Sequence, residues 1–105
     1  MADDLHVLVA FSVSPMGGSD SVGDAVAACV GEVRRSGLAN ETNAMFTNVE
    51  GPYDEVMALV RRCIARCAEV APRVSLTLKL DHRPGHEGAL RSKVARVEAV
   101  LDADG

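Results

Sequence analysis

Tryptophan is absent from this 105-residue chain, and the aromatic complement is one tyrosine and two phenylalanines. Proteins that hold nucleic acid combine a basic surface with aromatic platforms on which bases stack. With few aromatics and a formal charge of -4, a nucleic-acid partner is not expected. Long apolar runs are missing as well. No stretch approaches the roughly 18 residues that a membrane-crossing helix needs, and Met1-Ala2-Asp3-Asp4 is acidic where a secretory leader would be basic and then apolar. A cytoplasmic protein without a membrane partner is expected.

Catalytic and nucleotide-binding signatures are also lacking. Gly17-Gly18-Ser19-Asp20-Ser21-Val22-Gly23 lacks the spacing of a dinucleotide fingerprint, and a phosphate loop would need Lys where Asp24 stands. No nucleophile is paired with a base, because the histidines stand at His6, His82 and His86, away from any glycine-rich elbow. The expectation is a non-enzyme without a cofactor. Three cysteines are an odd number, suited to a reducing compartment. Cys63 and Cys67 lie one helical turn apart, too strained for a disulfide within one helix, and each cysteine falls on an apolar stripe. They read as buried core thiols rather than metal ligands. His82 and His86 flank Pro84-Gly85 in a loop, which also argues against a metal site.

What the chain does have is strong periodicity. Leu5 to Pro15 and Val74 to Asp81 alternate with period two, the signature of strands with distinct faces. Val7, Val9, Phe11 and Val13, like Val74, Leu76, Leu78 and Leu80, form the face expected to meet helices. The opposite face mixes Leu8 and Ala10 with Ser12, Ser14, Ser75, Thr77, Lys79 and Asp81.

Between the strands the pattern turns helical. After a loop from Pro15 to Asp20, Ser21 and Asp24 resemble a capping box opening a first helix that buries Val22, Val26, Cys29, Val30 and Val33, with Gly37 as its C-cap. Residues 41–45 and 47–51 read as two short strands meeting near Phe46. Pro52 and Asp54 open a second helix that buries Val56, Leu59, Val60, Cys63, Ile64 and Cys67 and ends at Pro72. A third helix carries the narrow stripe Leu90, Val94, Val97 and Leu101.

This order predicts one α+β domain over residues 1–105, a ferredoxin-like β-α-β-β-α-β sandwich with a four-stranded antiparallel sheet and an added C-terminal helix. One sheet face would remain open. That face and the narrow stripe predict self-association as a homo-oligomer.

Several stretches also resemble a known family. Phe11-Ser12-Val13-Ser14-Pro15-Met16-Gly17 is similar to the F-S-[IV]-S-P-[LM]-G signature of the thiamine-binding protein family. Ser36-Gly37-Leu38, Thr47-Asn48-Val49-Glu50-Gly51, and Arg73-Val74-Ser75 leading to Lys79-Leu80-Asp81-His82-Arg83 follow the same pattern in order and spacing. The resemblance implies a ferredoxin-like fold, homodimers or homotetramers, binding of thiamine or its pyrimidine portion in some members, and no catalysis. Asn43-Ala44-Met45-Phe46 departs from the family's T-P-M-G turn, so bulky Phe46 is expected to reshape a neighbouring pocket.

A thiamine site needs a counter-charge for the thiazolium, hydrogen-bond partners for the aminopyrimidine, and apolar walls. Glu50 and Asp81 are the candidate counter-charges, with Lys79 beside them. Ser12, Ser14, Asn43 and Thr47 are candidate hydrogen-bond partners, and Met16, Met45 and Phe46 candidate walls. Each has a plainer reading. Ser12 and Ser14 could simply end a strand, Glu50 could meet the dipole of the second helix, and Lys79, Asp81 and Arg83 could form surface ion pairs. The topology separates Ser12, Ser14 and Thr47 from Glu50, Lys79 and Asp81, so a complete site would need two subunits. The competing function is an oligomeric structural or regulatory module that binds no thiamine.

Overall fold

Val7, Val9 and Phe11 are buried and alternate with the half-buried His6, Leu8 and Ala10, which makes the first segment a strand with one face in the core. In the computed structural model, which describes residues 5–18 and 22–104, the elements are β1 (His6–Met16), α1 (Val22–Arg35), β2 (Ala39–Thr42), β3 (Thr47–Pro52), α2 (Tyr53–Ala68), β4 (Arg73–Asp81) and α3 (Ala89–Asp104). The strands form one four-stranded sheet in the order β2-β3-β1-β4. Every pairing is antiparallel. This is the ferredoxin-like arrangement with a C-terminal helix.

Helices α1 and α2 cover one sheet face. Val56, Leu59, Val60, Cys63 and Cys67 of α2 meet Val7, Val9, Phe11 and Val49 of the sheet, with Ala25, Cys29 and Val33 of α1 closing the core. Gly51 faces this layer, and a Cβ there would stand 3.0 Å from Leu38 Cδ2, so a larger residue would have to push the Leu38 side chain aside. Gly37, at φ +80°, takes the left-handed conformation that ends α1. The three cysteines are free and buried between α1 and α2, with Cys29 Sγ 3.4 Å from Cys67 Sγ.

Several details differ from the sequence reading. Ala25, rather than Val26, joins Cys29 and Val33 on the buried line of α1, and Val26 is 40% exposed. Leu76 and Leu80 face the helix layer but stay more than a third exposed, because β4 is an edge strand that the helices reach incompletely. The strand before the turn is Ala39–Thr42, two residues earlier than expected. Asn43 stops it: its Oδ1 accepts the backbone N–H groups of Met45 and Phe46, both at 2.9 Å, which makes an Asx turn instead of strand. Strand β1 continues through Pro15, paired with Val74, to Met16. Proline is tolerated there because β1 has left β3 behind at Phe11 and is itself an edge beyond it. Helix α2 ends at Ala68, before Pro72. The expected Ser21 cap lies outside the described residues.

Helix α3 crosses to the open face. Leu90 is its only buried residue among those described. Val94, Val97, Val100 and Leu101 are 57–60% exposed.

Candidate functional site

The register sorts the polar residues into two groups at opposite ends of β1. Toward its start, Leu8 is flanked by Glu50 on β3 and Asp81 on β4, and the next row of this face is Asn48, Ala10 and Lys79. Further along, Ser12 pairs with Thr77 and Ser14 with Ser75. Thr47, opposite Phe11, points to the helix face.

A cavity of about 210 Å³ opens between α1, β1 and the β2–β3 turn. Its apolar wall includes Phe11, Val26, Val30, Met45 and Phe46, and its polar lining is Ser12, Thr42, Asn43 and Thr47. The cavity exists because α1 lies across β1 while the Asx turn folds Met45 and Phe46 toward the helix. Of the eight residues expected to bind ligand, Asn43, Met45 and Thr47 converge here, and Ser12 borders the cavity from β1 while its side chain belongs to the open face. Ser14 lies further along β1, and Met16 ends opposite Arg73 at the far tip of the strand. Among the described residues, no carboxylate lines this cavity.

Glu50, Lys79 and Asp81 occupy the other end of the sheet, on the open face. Glu50 is 5% exposed. Its Oε2 accepts hydrogen bonds from Ala89 N at 2.8 Å and from His6 Nε2 at 2.8 Å, and its Oε1 accepts one from Leu90 N at 3.0 Å. The carboxylate therefore caps the start of α3, the third helix and not the second. Burial works to raise its pKa, but the Leu90 amide, His6 and the Ala89 amide together hold it below the usual value. Asp81 lies 2.5 Å from Lys93 Nζ, and that ammonium holds the carboxyl below its ordinary range. Leu8, Ala10, Asn48, Lys79, Asp81 and Lys93 line a shallower hollow of about 160 Å³.

Sequence reasoning missed the walls supplied by α1, although a stripe broad enough to include Val26 and Val30 was a hint that one edge of it faced something other than the core. It also missed His6 and Lys93 as partners of Glu50 and Asp81. Nothing in the sequence links positions 44 residues apart.

A four-stranded antiparallel sheet backed by two helices, with a small mixed-polarity cavity at one end, defines a ferredoxin-like binding domain. A family profile described as thiamine-binding protein matches residues 9–98. The chain belongs to the thiamine-binding protein family. A UPF0045 protein of Mycobacterium bovis is 50% identical over 98 residues, covering 92% of this chain and 96% of its own. Among solved structures, a hypothetical protein of Methanocaldococcus jannaschii is similar with a TM-score of 0.79 and 28% identity over 89% of this chain and 96% of that one. A Thermotoga maritima protein, described as a candidate thiamine biosynthesis/salvage protein, has a TM-score of 0.75 at 23% identity, over 88% of this chain and 98% of that one. At that identity the last likeness bears on the fold.

Proposed function

We propose that the protein binds thiamine, or the aminopyrimidine portion of it, without transforming it, as an intracellular carrier or sensor. The observation that carries this reading is the cavity beside the Asx turn, where Thr42, Asn43 and Thr47 stand among apolar walls. A flat aminopyrimidine offers both donors and acceptors. Hydroxyls can supply either partner, and the Asn43 amide nitrogen adds a donor while its oxygen holds the turn. The walls remove the ring from water, and Phe11 and Phe46 give it aromatic neighbours.

The absence of a lining carboxylate favours the pyrimidine end as the part that enters. A fixed thiazolium charge in that cavity would lack a counter-charge. It would instead extend outward, toward solvent or toward the open sheet face of a second subunit carrying Lys79 and Asp81. The exposed row Val94, Val97, Val100 and Leu101 on α3 supports self-association as a dimer or tetramer. The same row favours the second reading, an assembly module with no thiamine ligand.

Calorimetric titration with thiamine, its free pyrimidine precursor and thiamine diphosphate separates the two. The carrier reading expects saturable binding of at least one, weakened about tenfold in Thr47→Val by loss of one hydrogen bond, and unchanged in Ser14→Ala. Absence of heat and of thermal stabilisation with all three leaves the assembly module.

A further inference from the structure

All three histidines of the chain, His6, His82 and His86, line one open cavity of about 310 Å³ beside α3, together with Arg83. They arrive from two places. His6 opens β1, and the others belong to the loop that joins β4 to α3. We propose that this cavity is a second binding site, for the phosphate group of a small phosphate monoester, independent of the thiamine reading.

Two of the imidazoles are already oriented. His82 Nδ1 donates to the backbone oxygen of His6 at 2.6 Å, which leaves its Nε2 to accept the O–H of a singly protonated phosphate. His6 Nε2 donates to Glu50, so His6 acts as the anchor that holds the group in place. Arg83 forms no ion pair with a carboxylate among the described residues, and its planar fork suits two phosphate oxygens at once. Outside the lining, Glu50 is engaged by the α3 amides and His6, and Asp81 by Lys93. Glu87 is the one acidic residue in the lining, and its charge opposes an anion, so the phosphate must gain more from Arg83 and the imidazoles than Glu87 costs it.

The spacing discriminates between ligand classes. Among the described residues no three His, Cys, Asp or Glu side chains are close enough together to hold a metal ion. Nitrogens too far apart to share one cation can surround a tetrahedral anion, which is wider and accepts hydrogen bonds on several sides. The cavity exceeds what a phosphate group alone occupies, a water molecule's share of liquid being about 30 Å³, so an ester substituent has room. That substituent is small, and the rest of the lining it would meet is Pro52, Gly85 and Glu87.

The test follows the histidine ring resonances by NMR while phenyl phosphate, inorganic phosphate or sulfate is added at constant pH and ionic strength. Expected is a saturable shift of the His82 and His86 signals with phenyl phosphate, weakened at least tenfold in Arg83→Gln and unaltered in Thr47→Val. Arg83 is exposed in a loop, so the variant keeps its fold, verified by unchanged core methyl signals. Linear shifts without saturation, equal binding by Arg83→Gln, or an equal response to sulfate overturn the site. Inorganic phosphate binding as tightly as the ester overturns the monoester assignment. Thiamine binding is read in the same samples, so loss of one activity leaves the other measured.

Discussion

At the scale of single residues, Glu50 does the most to fix where the last helix goes. Its carboxylate is the buried charge among the described residues, and it joins β3, β1 and α3 through three hydrogen bonds. Glu50→Gln keeps the shape but puts an NH₂ group where one of the donors must be met. A loss of about 2 kcal/mol is expected from the unsatisfied donor, measured by urea unfolding, with faster hydrogen exchange at Ala89 and Leu90. The pH dependence has a definite sign. The folded-state pKa of Glu50 is depressed, so its contribution is fully present above the ordinary value of 4.5 and is lost as pH falls through the lower folded value. Exchange protection at the α3 amides should therefore hold at neutral pH and fade on acidification below that point, while protection in β1 persists. Equal fading in both would assign the loss to global unfolding. Glu50 was legible in the sequence as a functional position, but its partners were not, since hydrogen bonds across 39 to 44 residues leave no local pattern.

At the scale of elements, the α1–α2 layer holds three thiols in a few ångströms of space. Burial, first of all, pushes the Cys29 and Cys63 thiols up, and the neighbouring sulfurs add to the effect on Cys29. Since the thiolate is the reactive form, native protein at pH 8 should take up less than one equivalent of iodoacetamide per chain. Unfolding in guanidinium should release all three, as counted by mass spectrometry. Rapid native labelling at Cys63 or Cys67, both 0% exposed, would contradict the packing. These elements were the most readable part of the chain. Valines and cysteines at helical spacing and the period-two rows of β1 and β4 are patterns that burial itself imposes. The β2–β3 turn was less readable because Asn43 competes for backbone N–H groups that a strand would otherwise use. The inward side of α1 was rotated toward Ala25, a residue too small to announce itself, because the larger Val26 borders a cavity instead.

For the whole molecule, the unburied apolar row of α3 matters most. Four large apolar side chains at 57–60% exposure on one helix are more than a soluble surface usually leaves together. Sedimentation should give a mass above the 11.0 kDa of one chain, and Val97→Asp should shift it toward the monomer without unfolding the core. A monomeric native protein would remove the two-subunit version of the thiamine site while leaving the cavity itself in place. The separation of Ser12 and Thr47 from Glu50, Lys79 and Asp81 was readable from topology, because strand order and direction alone determine which ends meet. The cavity was not, since its outline depends on the angle at which α1 crosses the sheet.

Helix α3 is in mechanical terms a rod clamped at one end. Among the described residues, its hydrogen bonds and ion pairs with the body, through Ala89, Leu90, Arg91 and Lys93, lie in its first five residues, and the side chains from Val94 to Ala103 are exposed. At about 1.5 Å per residue the 16-residue element is about 24 Å long. A tilt of about 10° at the clamp would carry the free end about 4 Å. Small rearrangements around Glu50 are thereby magnified at the tip, where an attached fluorophore or spin label would register them.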